Sequence, residues 1–287
     1  MSPRLSRWLQ LSAVLAGRTT RYSTSGSQGA FNHTEPLPYQ YDFPRQRIFV
    51  KNTVTGAIAE VALASDRTTG ESDSFSPAID ASGRYVAYRS FSSDISPADT
   101  NGLPDVFVTD RDPDGNGVFD DEGTPKNVRV SVKASLGTLA TQQTTSTSAE
   151  GYSMDKDPSL SADGRFVAFD STATDLVGDD TNGCADAFVH DRDADGNGVF
   201  DETGGTTTTA LLRMDNSSYG QASAPSAIDF TGRHVVIDTQ LQLSPTDPFQ
   251  SNLDLYLVDR DVDAPMRQTI LVIDGLDIGR GRHRVSR

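Results

Sequence analysis

The sequence predicts an all-β fold, a β-propeller built of four-stranded antiparallel blades, and three observations carry that prediction. A shift of 81 residues lays one segment of about fifty residues over another without a gap, and a further shift of 68 finds a third copy. The apolar runs are short, such as Tyr85-Val86-Ala87-Tyr88 and Val106-Phe107-Val108, and turn signals such as Gly83 and Asn101-Gly102 lie between them, which is how strands and tight turns alternate. The composition, with 24 Gly, 14 Pro and 36% apolar residues among 287, suits a loop-rich β protein better than a helical bundle.

The units follow one another in order. A leading half unit holds Arg47-Ile48-Phe49-Val50 and then Ile58 to Leu63. The first full unit, near residues 73–133, begins with Pro77 to Asp80 and turns at Gly83, where a tight connection needs a positive φ. Arg84 to Tyr88, Asp105 to Thr109 and Val128 to Val132 supply its other strands. The second unit, near 155–213, repeats them as Phe166 to Asp170, Ala187 to His190 and Ala210 to Arg213. The third, near 222–273, runs through Pro225-Ser226-Ala227-Ile228 and Asp254 to Asp261 and ends with a strand over Gln268 to Ile273. Val106-Phe107-Val108 is apolar at successive positions, so both faces of that strand must be covered, as they are when sheets stack face to face. A β-sandwich has no reason to repeat a turn and a strand end in register; stacked blades do.

The pattern Pro77-Ala78-Ile79-Asp80-Ala81-Ser82-Gly83-Arg84-Tyr85-Val86-Ala87-Tyr88, then Asp99-Thr100-Asn101-Gly102 and Asp105-Val106-Phe107-Val108-Thr109-Asp110-Arg111, with its second copy from Pro158 to Arg192, resembles the TolB-type β-propeller repeat. The likeness covers roughly residues 45–273. It implies a bacterial envelope or secreted protein and a docking or scaffold role, and is specific for fold and weak for function. In the third copy Asp247-Pro248-Phe249-Gln250 replaces Asp-Thr-Asn-Gly. A half unit plus three makes about three and a half blades, short of the four to eight of closed propellers. The expectation is an incomplete propeller that self-associates through open blade faces.

Flanking segments read differently. Residues 1–44 read as leader and linker, with the outline of a weak secretory signal in residues 1–16 and a Ser, Thr and Pro-rich stretch after it in which no core is expected. Residues 274–287 read as a basic tail. Charge narrows the function classes. Forty acids oppose 25 bases, a net −15, and four arginines at each end are unopposed, which leaves the body more acidic still. No basic face exists for nucleic acid. No stretch approaches eighteen consecutive apolar residues, so no membrane span is expected. A single cysteine, Cys184, excludes an internal disulfide or cysteine-based zinc site.

The chemistry-bearing feature is an insertion between third and fourth strands, Asp110 to Glu122, repeated as Asp191 to Glu202. Carboxylates crowded on a tight loop call for a counter-ion, and calcium takes six to eight hard oxygens. Two registers are open. One starts at Asp110 or Asp191 and ends at Asp121 or Glu202. The preferred one starts at Asp112 or Asp193, sets Gly117 or Gly198 at the sharp turn and anchors the loop by Phe119 or Phe200. Its ligands are Asp112, Asp114, Asn116 and Asp120 with the Val118 carbonyl, and Asp193, Asp195, Asn197 and Asp201 with the Val199 carbonyl. This register resembles the calcium loops of integrin-type propeller blades. Solvated hairpins held by Asx turns are the alternative.

The turns Asp99 to Gly102 and Asp180 to Gly183 read as turns first and ion sites second. Arg111, Arg192 and Arg260 are expected to pair at the surface or between blades. His33, His190, His234 and His283 show no metal-ligand spacing. No Gly-x-Ser-x-Gly elbow or other nucleophile–base set is present. The functional expectation is a non-catalytic, calcium-binding propeller, periplasmic or secreted, that serves as a scaffold for a protein or an envelope glycan. A propeller hydrolase or lyase with its active site at the central mouth is the alternative.

Overall fold

A computed structural model describes residues 18–25, 28–34, 46–64, 66, 68, 70–96, 103–121, 126–132, 158–173, 176–177, 185–212, 223–239, 254–260 and 271–272. They form sixteen strands in four antiparallel sheets of four, each a meander in chain order. The first blade is β1 (Arg18–Ser25), β2 (Gln28–Thr34), β3 (Gln46–Asn52) and β4 (Ile58–Glu60). The second is β5 (Ser74–Ile79), β6 (Tyr85–Ser90), β7 (Asp105–Asp110) and β8 (Lys126–Arg129). The third is β9 (Ser159–Leu160), β10 (Phe166–Ser171), β11 (Asp186–Asp191) and β12 (Thr207–Leu212). The fourth is β13 (Ser223–Ile228), β14 (His234–Thr239), β15 (Asp254–Asp259) and β16 (Leu271–Val272). Among the described residues no helix is long and apolar enough to cross a membrane.

The repeat fixes register as well as strand content. Tyr85 pairs with Asp110, Phe166 with Asp191 and His234 with Asp259, so equivalent residues stand at equivalent heights in three blades. Because side chains alternate along a strand, each inner strand sends one set of residues to each neighbouring blade. Val86, Tyr88 and Phe107 join Ala30, Ile48 and Val50 in a core between blades one and two. Ala87, Val106 and Val108, on the opposite face, meet Val167, Phe169 and Phe188 between blades two and three. Ala168, Ala187 and Val189 meet Val235, Ile237, Tyr256 and Val258 between three and four. This is the covering that the unbroken apolar run Val106-Phe107-Val108 demands. Stacked rings recur across the inner strand pair: Phe31 on Phe49, Tyr88 on Phe107 and Phe169 on Phe188, with centroids 5.8, 6.0 and 5.8 Å apart. Backbone hydrogen bonds also step from blade to blade: Ala81 N donates to Ala162 O at 2.9 Å and Ala162 N to Phe230 O at 3.1 Å.

One expectation fails in this part of the chain. Residues 18–44, read as linker without a core, supply β1 and β2, and Ala30 and Phe31 are fully buried. The reason is pairing: Phe31 faces Phe49 and Ala30 faces Val50, so a segment with little apolar content of its own completes the blade begun by β3 and β4. The half unit is therefore a full four-stranded blade. Three inter-blade cores join four blades, and among the described residues none joins the fourth to the first, so the array is an open propeller. The turns at Asp99 and Asp180, Cys184, the leader over residues 1–17 and the basic tail lie outside the described residues.

Candidate functional site

The acidic insertions leave the ends of β7 and β11 and fold alike. At the base of each is an arginine that the sequence places at the surface or between blades and the structure buries. Arg111 sends Nε and Nη2 to the Asp120 carboxylate and Nη1 to the Gly83 carbonyl at 2.6 Å. Arg192 does the same with Asp201 and Gly164, the Nη1 bond being 2.7 Å. The backbone closes on the same residues, Asp120 N donating to Arg111 O at 2.9 Å and Asp201 N to Arg192 O at 2.8 Å. Asp120 and Asp201 have φ of 59° and 62°, left-handed values that cost a non-glycine residue about 1 kcal/mol, and the bidentate arginine holds them there. A second clamp lies below. Arg84 grips Asp110, Arg165 grips Asp191 and Arg233 grips Asp259, each through two bonds of 2.7–2.8 Å. The carboxylate raises the Arg84 and Arg165 pKa further. The sequence did carry the signal for this clamp, since Arg84 and Asp110 recur together in all three copies.

These clamps bear on the expected ligands. Asp120 and Asp201, ninth in the preferred register, are engaged by Arg111 and Arg192. Asp110 and Asp191, first in the other register, are engaged by Arg84 and Arg165 and accept the amides of Asp112 and Asp193 at 3.0 Å. The remaining side chains are gathered on the loop crown. Asn116 Nδ2 donates to Asp114 Oδ2 at 2.8 Å and to Asp121 Oδ2 at 2.9 Å, while its Oδ1 accepts the Val118 amide at 2.6 Å. Asn197 does the same with Asp195, Glu202 and the Val199 amide. Gly117 and Gly198, with φ of 82° and 83°, make the sharp turn expected of them and donate to Asp112 and Asp193. Among the described residues no group of three or more His, Cys, Asp or Glu is arranged to hold a metal ion. Yet Asp112 is only 4% exposed and its Oδ1 has no hydrogen-bond partner. A buried carboxylate oxygen without a partner is costly, and a cation beside it would remove the cost.

Joints between blades set the surroundings of each loop. Gly164 and Gly232 lie so close to the preceding blade that an added Cβ would stand 2.3 Å from the Tyr85 ring and 2.0 Å from the Phe166 ring. Arg192 and Arg260 lie over those rings, each 4.6 Å from the centroid. Phe200 closes the joint above Tyr85, centroid to centroid 5.4 Å, and lies 4.9 Å from Arg192. The expected anchoring role of Phe200 is thus met against the preceding blade. At the joint of blades one and two the partner of Gly83 is Gln28, whose Cγ takes the place of a ring. Among the described residues the Phe119 ring meets Arg111, at 4.9 Å, and a cleft of about 510 Å³ opens beside it.

The histidines divide by environment. His190 is fully buried, with Nδ1 2.9 Å from Thr208 Oγ1, and desolvation lowers its pKa to about 4. His234 sits at the rim, with Nδ1 2.7 Å from Asp229 Oδ2.

No protein-family model and no curated protein matches this chain. Among solved structures it is similar to TolB from Acinetobacter baumannii, with 14% identity and a TM-score of 0.45 over 89% of this chain and 43% of that one. It is also similar to the β-propeller domain of the Trilobed protease from Pyrococcus furiosus, with 9% identity and a TM-score of 0.44 over 84% of this chain and 54% of that one. A third is the tricorn protease, with 13% identity and a TM-score of 0.43 over 84% of this chain and 18% of that one. The chain thus spans about half of the first two proteins or less.

Proposed function

We propose that this chain is a non-catalytic β-propeller scaffold, periplasmic or secreted, that holds calcium in its two acidic loops and offers its surface to a protein or an envelope glycan. The observation that carries the calcium part is the buried Asp112 carboxylate with an unpartnered oxygen beneath a crown of oxygens. With Asp120 and Asp201 held by arginine, the ligands are Asp112, Asp114, Asn116 and Asp121 with the Val118 carbonyl, and Asp193, Asp195, Asn197 and Glu202 with the Val199 carbonyl. The set borrows from both registers. The Asn116 and Asn197 amides, which tie the carboxylates together, turn their oxygens to the ion when it binds. Such oxygen sets, completed by water, give weak affinity suited to the calcium-rich outside of the cell.

The scaffold part rests on rigidity. Each loop is pinned by a buried arginine to its own blade, and Phe200 also packs across onto the preceding blade, so the loops form a fixed surface for a partner. The outer face of the fourth blade adds self-association. Val236, Leu255 and Leu257 are half-buried there, whereas Ala87, Val106 and Val108, at the same positions of blade two, are sealed by the next blade. A second copy covers that face as a blade does within the chain, and light scattering reads it as a mass that grows with concentration.

Calorimetric titration with calcium, beside thermal melts in chelator and in millimolar calcium, tests the loops. The intact chain is expected to take up about two ions and melt higher in calcium, and an Asp112→Ala/Asp193→Ala double variant to lose both effects. Neither heat nor a melt shift in the intact chain would reduce the loops to hairpins held by Asx turns.

A further inference from the structure

Two consecutive joints use the same parts, and among the described residues only one is filled. Between blades two and three, Tyr85 is enclosed by the Arg192 guanidinium and the Phe200 ring, and the glycine at position 164 lets it approach. Between blades one and two, Gly83, Arg111 and Phe119 keep the same relations to one another, with Arg111 Nη1 on the Gly83 carbonyl and its guanidinium 4.9 Å from the Phe119 ring. Among the described residues no ring takes the place that Tyr85 has in the next joint. Gln28 fills only the side next to the glycine, and beyond it lies a cleft of about 510 Å³ lined by Val50, Ile58, Val118, Phe119 and Arg111. Such a volume lies within the range of sites that take a small ligand.

Three further observations point to an occupant. The Asp120 side chain is 23% exposed where its counterpart Asp201 is 3% exposed, so the ion pair that the packed rings seal in one joint is open in the other. Ile58, on the first blade, is a large apolar residue left exposed at the rim; Val118 beside it is exposed as its counterpart Val199 is in the filled joint. Gln28 is nine-tenths buried, and its Oε1 has no hydrogen-bond partner.

We infer that this cleft is a docking site for an aromatic side chain of a partner protein, tyrosine above all, which supplies the ring that the first blade lacks. The ring lies against the Arg111 guanidinium and beside the Phe119 ring, as Tyr85 lies against Arg192 and beside Phe200. As the ring enters, the Gln28 amide turns toward it, and Oε1, which is buried without a partner, accepts the phenol hydroxyl. The inference rests on the scaffold reading and narrows its partner to a protein with an exposed tyrosine. Neighbouring apolar residues of the partner cover Ile58 and Val118.

A titration with N-acetyl-L-tyrosinamide, read by the methyl resonances of Val50, Ile58 and Val118, tests the site without needing the partner. Saturable shifts are expected on the full chain, with N-acetyl-L-leucinamide at least tenfold weaker. Gln28→Tyr, which builds the ring in place, is expected to abolish the shifts while the chain melts no lower. Ile58→Ser, at an exposed rim position, is expected to weaken binding several-fold without altering the fold. Equal binding of the two amides, shifts that persist in Gln28→Tyr, or no saturable shift would each overturn the proposal. Such a failure leaves calcium uptake untouched, so it is distinguishable from failure of the scaffold reading.

Discussion

Where the third blade meets the second, Arg192 lies against the rings of Tyr85 and Phe200, and Asp201 is shut away beneath them. Where the second meets the first, Gln28 stands in place of the tyrosine, and the equivalent pair of Arg111 and Asp120 borders a cleft. The loops themselves are nearly identical in sequence and in internal hydrogen bonding. The difference between a sealed joint and an open one thus comes from a residue of the preceding blade. A repeat protein can vary its surface in this way without altering the repeat that carries the loop.

The largest effect should separate the two arginines. Arg192→Ala leaves Asp201 buried without its partner, and chemical denaturation should show a loss of about 4 kcal/mol. Arg111→Ala leaves Asp120 partly in water and should cost about half as much. Equal losses would mean that the cleft does not hydrate the ion pair.

Acid should act through the third blade and spare the second. His190 stands where blade two has Thr109, and burial lowers its pKa to about 4. The unfolded chain, with a histidine pKa near 6.5, binds a proton that the folded chain refuses between those values. This contribution to stability is complete above pH 6.5, falls as the pH drops toward 4, and is flat below; its full size is about 3 kcal/mol. Melts of His190→Thr across that window should lose this part of the pH dependence.

Glycine substitutions give a smaller contrast. Gly164→Ala drives a Cβ into the Tyr85 ring at a φ of +77° and should cost about 3 kcal/mol. Gly83→Ala meets Gln28 Cγ at 2.5 Å and Cβ at 3.1 Å; rotation moves the Cγ but not the Cβ, so the variant should cost about 2 kcal/mol, still less than the ring clash at Gly164. Matched thermal melts of the two variants would measure the difference.

Much of this architecture is legible in the residues. The repeat in register, the alternation around Val106-Phe107-Val108 and the glycine turns specify blades two to four nearly strand by strand. The first blade is not legible in its outer half. Residues 18–34 are mostly polar in sequence with few apolar residues, and pairing with β3 makes Ala30 and Phe31 part of a core. The acidic loops are legible as loops; of the partners of their carboxylates, the recurrence of Arg84 with Asp110 is visible in the sequence, while the bond between Arg111 and Asp120 is not. Arg84 and Asp110 are 26 positions apart, and only the β6–β7 register brings them together. The cleft lies furthest from the sequence, because it follows from a glutamine aligned with Tyr85 and Phe166 in a blade too divergent to align by eye.

A reciprocal exchange tests most directly the claim that this one position decides the state of each joint. Gln28→Tyr and Tyr85→Gln would each be melted and titrated with N-acetyl-L-tyrosinamide. Gln28→Tyr should stabilise the chain by about 1 kcal/mol and stop taking the probe, while Tyr85→Gln should lose stability and gain a second probe site beside Phe200. A Tyr85→Gln chain that melts unchanged and binds no additional probe would contradict the account.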